Sequence, residues 1–171
     1  MDLMCDTREH TKEYGRIKKQ IERIPGIRII RSKLYVGDYM SLDNPRLVID
    51  RKKDLQELCG NVTQQHERFR NELIRAKEHG IKIVVLCEHG DDVRDMEDVI
   101  FWVNPRSEEM EWRMVNGHPM KVYKYPKATR GDQLYKSLCT IKDRYGVDFR
   151  FCNKTETGAE IVRILGGDEH D

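Results

Sequence analysis

Two carboxylates and a lysine fall close together in this chain: Asp38 in Val36-Gly37-Asp38-Tyr39, then Asp50 and Lys52 in Leu47-Val48-Ile49-Asp50-Arg51-Lys52. The apolar triplet Leu47-Val48-Ile49 reads as a buried strand. Strand side chains alternate between faces, so Asp50 and Lys52 point one way and Arg51 the other. A carboxylate and an ammonium therefore leave one face at the end of an apolar strand, with Asp38 upstream in a glycine-containing turn. Two carboxylates can hold a hard cation such as Mg2+ or Mn2+ through oxygen ligands. A lysine beside them can position a water and stabilise charge developing on a phosphate. Together these groups are equipped for metal-assisted hydrolysis of a phosphodiester.

Each residue also has a plainer use. Gly-Asp is ordinary turn chemistry for Asp38. Lys52 could serve only as the partner that Asp50 needs at the end of an apolar strand. Asp6 and Glu9 precede a helix, whose N-terminus favours acids. Glu88 ends the run Ile81–Cys87 and reads first as a solvated strand terminus, and only second as a further acid of the cluster. His66 and Glu67 are adjacent on a helix and do not form a ligand pair on one face.

The elements that must position these groups follow from periodicity. Leu3-Met4-Cys5 predicts a short strand ending at Asp6. Tyr14, Ile17, Ile21 and Ile24 recur at helical spacing, and Pro25-Gly26 stops that helix. Ile27–Arg31 and Lys33–Tyr39 read as two strands joined tightly, and Asn44-Pro45 turns the chain into the strand carrying Asp50. A helical region starts at Asp54, with Gly60-Asn61 as its interruption. Thr63 then caps a longer helix to about Glu78 that buries Phe69, Leu73 and Ala76. The opposite face of that helix, with His66, Arg68, Arg70, Arg75 and Lys77, reads as a solvated face diluted by acids. Ile81–Cys87 is a near-continuous apolar run, as in a central strand covered on both sides. Leu134, Leu138, Ile141 and Tyr145 mark another helix, and Val147, Phe149 and Phe151 alternate as a strand. Thr157-Gly158-Ala159-Glu160 predicts a capping box for a last helix ended by Gly166-Gly167. Residues 168–171 are expected to fray.

Between about residues 89 and 130 the pattern is irregular, with a small hairpin expected, and long irregular segments are often functional. Aromatics and bases alternate there. Trp102 could stack on an unpaired base while Arg106, Lys121, Lys124 and Lys127 meet phosphates. The equal alternative is a satellite hydrophobic cluster beneath a long loop.

Composition sets limits. At 171 residues the chain suits one domain with a sizeable core. Charged residues make up 36%, and no apolar stretch reaches membrane-spanning length, so no membrane role is expected. No basic stretch followed by an apolar run marks a secretory signal at the N-terminus. The net charge is only +1, so any charge that meets nucleic acid must be local. Five cysteines without Cys-x-x-Cys spacing fit buried thiols in a reducing, cytoplasmic setting.

Taken in order, Asp6-Thr7-Arg8-Glu9, Val36-Gly37-Asp38-Tyr39 and Asp50-Arg51-Lys52 resemble the Asp-x-Arg-Glu, Val-Gly-Asp-Tyr and acid-Arg-Lys motifs of the XPF-type nucleases. That branch, with XPF, Mus and Hef, belongs to the PD-(D/E)xK superfamily, and Ile81–Glu88 looks like its following core strand. Three motifs in the right order make the resemblance specific. Two positions depart from the pattern: Asp50 stands where glutamate is usual, and Gln56 where an aspartate often follows the lysine, with Asp54 two residues earlier.

The resemblance implies an α/β fold, a restriction-endonuclease-like core with a mixed central β-sheet flanked by helices. One nuclease domain is expected over 1–171, with an irregular insertion at about 89–130; no helix-hairpin-helix domain is expected, a further departure, since XPF-type enzymes commonly use one to grip DNA and dimerise. The expected activity is that of a metal-dependent DNA endonuclease, structure-specific for branched, flap or junction DNA, in recombination, repair or phage DNA processing. Asp38 and Asp50 would bind Mg2+ or Mn2+, Lys52 would position the attacking water, and Asp6 would support the metal or Lys52. Glu9, Arg8, Arg51 and Glu88 are the supporting candidates. DNA is the expected partner, and a homodimer would suit the paired strands of a branch. Small stand-alone domains of this type resemble proteins of phages and mobile elements, which would place the chain inside an infected bacterial host. The alternative is a DNA-binding or scaffold subunit with weak or absent catalysis, because XPF-type complexes include inactive partners.

Overall fold

A computed structural model describes residues 1–167 of the chain, so the expectation for residues 168–171 lies outside the described residues. The strands β1 (Asp2–Asp6), β2 (Arg28–Ser32), β3 (Tyr39–Ser41), β4 (Leu47–Lys52), β5 (Lys82–Glu88) and β8 (Asp148–Cys152) form one six-stranded sheet in the order β2-β1-β3-β4-β5-β8. β3 runs antiparallel to both its neighbours, and all other pairs are parallel, so the sheet is mixed. Helices α1 (Thr11–Ile21) and α5 (Thr157–Gly166) cover one face. Helices α2 (Leu55–Thr63), α3 (His66–Glu78) and α4 (Gly131–Tyr145) cover the other. This is the α/β layering that alternating strand and helix signals imply. No helix among the described residues is long and apolar enough to cross a membrane.

Alternation along β4 and β5 divides the core in two. Val48, Val85 and Cys87 pack with Leu58, Phe69 and Leu134 on the side of α2, α3 and α4. Ile49, Val84 and Leu86 pack with Ile17, Ile161 and Leu165 on the side of α1 and α5. The same period carries Asp50 and Lys52 to the first side and Arg51 to the second. Lys52 Nζ lies 5.5 Å from the centroid of the Phe69 ring on α3, as that placement requires.

Several local expectations are corrected. The segment 33–38 is not a strand, and β2 and β3 are not neighbours, because β1 lies between them. The Asp6 carboxylate takes the N–H of Leu34 at 2.7 Å, and Gly37 turns the chain at φ 67°, so the segment wraps the strand ends instead of pairing. Helix α1 ends at Ile21, short of Ile24. Helix α2 continues through Gly60-Asn61 and breaks at Gln64-Gln65. Asp54 starts it by accepting the Glu57 N–H, the Asn61 and Thr63 side chains bond back to the Glu57 and Cys59 carbonyls, and burial of Leu55, Leu58 and Cys59 carries the helix across the glycine. Thr157 forms no capping box. Its hydroxyl is turned inward and donates to Glu88 Oε1 at 2.9 Å.

Residues 89–130 hold two short 3-10 segments and a hairpin, β6 (Met110–Val115) and β7 (His118–Tyr123), that forms its own two-stranded sheet. Asn116 and Gly117 both take positive φ, 50° and 79°, which is the turn a two-residue hairpin needs.

Gly37 is the tightest point near the motif strand. A Cβ there would lie 2.2 Å from Val48 Cγ1 and 2.9 Å from the Ile49 carbonyl oxygen, at a left-handed φ. Gly37→Ala is expected to lower stability by about 2–4 kcal/mol, from left-handed strain plus overpacking. Urea unfolding of the two proteins checks this, and a change below about 0.5 kcal/mol would show that the turn relaxes freely.

Candidate active site

The sheet order sets the acidic groups side by side. Asp38 precedes β3 and its backbone bridges two strands: its N–H donates to the Ile49 carbonyl at 2.7 Å, and its carbonyl accepts the Asp6 N–H at 2.8 Å. Its carboxylate is held by the backbone N–H of Arg51, which donates to Asp38 Oδ2 at 2.8 Å. Asp50 is buried one residue earlier on β4. Lys52 Nζ stands 2.8 Å from each Asp50 oxygen; the bond to Oδ1 has hydrogen-bond geometry, whereas Oδ2 has no hydrogen-bonded partner.

Asp38, Asp50 and Lys52 open onto a polar cleft of ≈ 610 Å³ between the strand ends and helices α2 and α3. Burial first, then the charges of Asp50 and Glu9, push the Asp38 carboxyl well above the usual carboxylate range, against the Arg51 N–H bond that lowers it. Burial would lower the Lys52 ammonium, but the charge and hydrogen bond of Asp50 outweigh it and leave Lys52 raised. Lys52 is therefore a cation in this setting and acts as a donor.

Among the described residues, no three His, Cys, Asp or Glu side chains form a metal-holding group. The donor set still fits a hard cation. Mg2+ needs only one or two carboxylates when water and phosphate oxygens fill its remaining positions. Asp50 Oδ2 is a buried oxygen without a hydrogen bond, and Asp38 is a carboxylate whose charge the site repels, so both have capacity for a positive partner.

A second set of charges lies behind the strand. Glu9 accepts both Nε and Nη2 of Arg51, at 3.0 and 2.8 Å, in a buried bidentate pair. Arg51 Nη1 stands 3.4 Å from Glu88 Oε1, which also receives Arg16 of α1 and Thr157 of α5. Glu88 is fully buried, so it is not a solvated strand terminus. It lies on the α1 and α5 side with Arg51 and does not line the cleft, whereas Glu9 and Arg51 do.

Asp6 has a different position from Glu9. Its carboxylate takes two bonds from the Arg8 guanidinium, at 2.8 and 2.9 Å, and the N–H groups of Arg8 and Leu34. Burial would raise it, but the Arg8 side chain and those two N–H groups hold it down at about 2. Asp6 is a saturated strut outside the cleft lining, and it fixes Arg8, which is exposed and lines the cleft. Asp54 is spent capping α2, and Gln56 faces away from this cleft.

The remaining candidates separate. Trp102 is only 8% exposed and packs in the main core with Val99 and Leu134, so its ring is not available to a base. Arg106, Lys124 and Lys127 surround a different cleft, of ≈ 470 Å³. Lys121 lies on the hairpin opposite Trp112, away from both clefts. Sequence reasoning missed Lys53, Arg68 and Arg75, which rim the main cleft. Arg68 and Arg75 belong to the helix face read as merely solvated. Their spacing of seven puts them on one side of α3, and only the sheet order reveals that this side borders Asp50.

Comparison with known proteins accords with this geometry. The ERCC4 domain family model matches residues 5–165. No curated protein sequence matches the chain significantly. Two solved structures are similar to it: XPF from Aeropyrum pernix, at TM-score 0.61 and 16% identity, and XPF from Aeropyrum pernix in complex with DNA, at TM-score 0.61 and 17% identity. Each alignment covers 96% of this chain and 63% of the other, so the chain spans less than two thirds of their length. At these identities the likeness establishes the fold.

Arg51→Met tests the buried network. It would leave Glu9 and Glu88 without their shared cation and is expected to cost about 3–5 kcal/mol in urea unfolding. Adding Glu9→Gln should recover part of that loss, because Glu88 keeps Arg16 and Thr157. A cost under about 1 kcal/mol would mean the two acids do not depend on Arg51.

Proposed function

The chain belongs to the ERCC4-domain family, and from that membership we infer that it is a metal-dependent DNA endonuclease, structure-specific for branched, flap or junction DNA. One observation carries the reading: Asp38 and Asp50 meet Lys52 at a polar cleft whose rim bears Arg8, Lys53, Arg68 and Arg75. An acidic centre inside a basic rim suits a polyanion that must approach while a cation is retained.

Asp38 and Asp50 would hold Mg2+ or Mn2+, which when bound supplies polarisation of the scissile phosphate and a lower pKa for water. The chain's own residues do the rest. The Arg51 N–H keeps Asp38 oriented, so one carboxylate is set before substrate arrives. Lys52, a cation on the same face as Asp50, donates to the attacking water or to a non-bridging phosphate oxygen and stabilises the charge that grows there. Arg8, held by Asp6, and Arg68 and Arg75 from α3 bind flanking phosphates and place the scissile one in line. In-line attack of water on phosphorus breaks the bond to the 3′-oxygen. The products are a 5′-phosphate and a 3′-hydroxyl, with the water's proton released to solvent. Repair, recombination or phage DNA processing is the setting this chemistry suits, and a homodimer would match paired strands at a branch.

End-labelled flap, fork, four-way junction, linear duplex and single-stranded DNA, each with Mg2+, Mn2+ or EDTA, test this. Wild-type protein should cut branched DNA only with metal, and Asp50→Asn and Lys52→Met should each lose about 100-fold or more. Cutting that survives both substitutions would refute the assignment of the site. Tight DNA binding by folded wild-type protein that cuts none of these substrates would favour a DNA-binding subunit instead.

A further inference from the structure

Helix α2 separates the main cleft from the second one. Glu57 and Asn61 on α2, with Gln65 just beyond it, line the main cleft; Gln56 and Gly60, with Gln64 just beyond, line the cleft of ≈ 470 Å³. Each set recurs every fourth residue, so the two clefts lie on adjacent faces of one helix. The far wall of the second cleft comes from residues 104–129.

That wall concentrates positive charge on an aromatic ring. Arg106 Cζ lies 5.3 Å and Lys124 Nζ 5.1 Å from the centroid of Tyr125. Arg106 and Lys127 make no ion pair among the described residues, and Lys124 meets Glu109 only at 3.7 Å. The wall is also fixed in place. Buried Asn104 accepts the Arg106 N–H at 3.1 Å and donates to the Thr129 carbonyl at 3.0 Å. Arg106 and Lys127 lack carboxylate partners and attract phosphate, and a phosphate that draws Arg106 and Lys124 off the half-buried Tyr125 ring leaves that ring to a base. This combination is how proteins hold single-stranded nucleic acid without reading its sequence. At ≈ 470 Å³ the cleft has room for a nucleotide.

We propose that the second cleft binds single-stranded DNA: the arm that leaves the duplex beside the main cleft, with a base against Tyr125 and phosphates on Arg106, Lys124 and Lys127. The identity of the strand as DNA rests on the nuclease reading above. The route over α2 is short, because the two clefts lie on adjacent faces of that one helix. A flap or fork would then engage both clefts at once, whereas a linear duplex would engage only the main one.

Fluorescence anisotropy of a fluorescein-labelled single-stranded oligothymidylate, in EDTA so that nothing is cut, reads the cleft directly. Tyr125→Ala and Lys127→Glu should each weaken binding roughly tenfold, and Lys121→Glu, the same charge reversal on the hairpin away from both clefts, should bind as wild type does. Lys127 is exposed, so its reversal leaves the core intact. Wild-type affinity in both cleft variants, or no oligothymidylate binding by wild-type protein, would overturn the proposal even if the protein cuts DNA. Affinity lost in both variants of a protein that cuts no substrate would sustain the cleft and refute the nuclease reading.

Discussion

Arg51 is the residue on which the site's geometry depends. Its backbone N–H fixes Asp38, and its side chain, on the other face of β4, binds Glu9 from the turn after β1 and approaches Glu88 at the end of β5. A buried guanidinium and two buried acids cost desolvation energy, and such groups are weak contributors to net stability. Their value here is positional. Strands β1, β4 and β5 end at one level because the same cation joins their termini, and that level is the floor of the main cleft. Glu88 extends the tie to the helix layer through Arg16 on α1 and Thr157 on α5. One Glu88 oxygen and one Arg51 nitrogen remain without hydrogen bonds, so the network is held more by charge than by full hydrogen-bond satisfaction.

The two faces of β4 do opposite electrostatic work. Behind the sheet, acids and arginines neutralise one another. In front, Asp38 and Asp50 have only Lys52 and the Arg51 N–H against them, and the imbalance remains in Asp38. The arginines and lysine of the rim come from three separate places in the chain, the turn after β1, the end of β4 and helix α3. Local charge of this kind is compatible with a net charge of only +1. The second cleft adds another basic surface on the adjacent face of α2, built from the segment that interrupts the regular alternation of strands and helices.

Much of this was legible in the sequence because period-two alternation is a local signal. The apolar run before Asp50 fixed which side chains share a face, and Arg51 does point away from Asp50 and Lys52. Ile81–Cys87 was readable as a central strand for the same reason. What was hidden depends on contacts distant in sequence. Asp6 was preferred to Glu9 in sequence, but Arg8 and Leu34 saturate Asp6 outside the cleft lining, whereas Glu9, bound to Arg51, lines it. Thr157 carried a local capping signal that Glu88, distant in sequence, overrode. Trp102 was grouped in sequence with the bases that start at Arg106, yet its large apolar area was worth more in the core beside Leu134 than at the surface. Helix α2 crosses Gly60-Asn61 because Leu55, Leu58 and Cys59 bury its apolar face in the core, which offsets the glycine.

The central claim is that Asp38 and Asp50 together form a divalent-cation site. Anomalous diffraction at the manganese edge from crystals grown with Mn2+ tests it most directly, because the metal's signal far exceeds that of any protein atom. The account predicts an ordered Mn2+ bonded to one oxygen of Asp38 and one of Asp50, and no such peak in crystals of Asp38→Asn. An ordered Mn2+ bonded to neither carboxylate, or a peak that persists unchanged in Asp38→Asn, would contradict it.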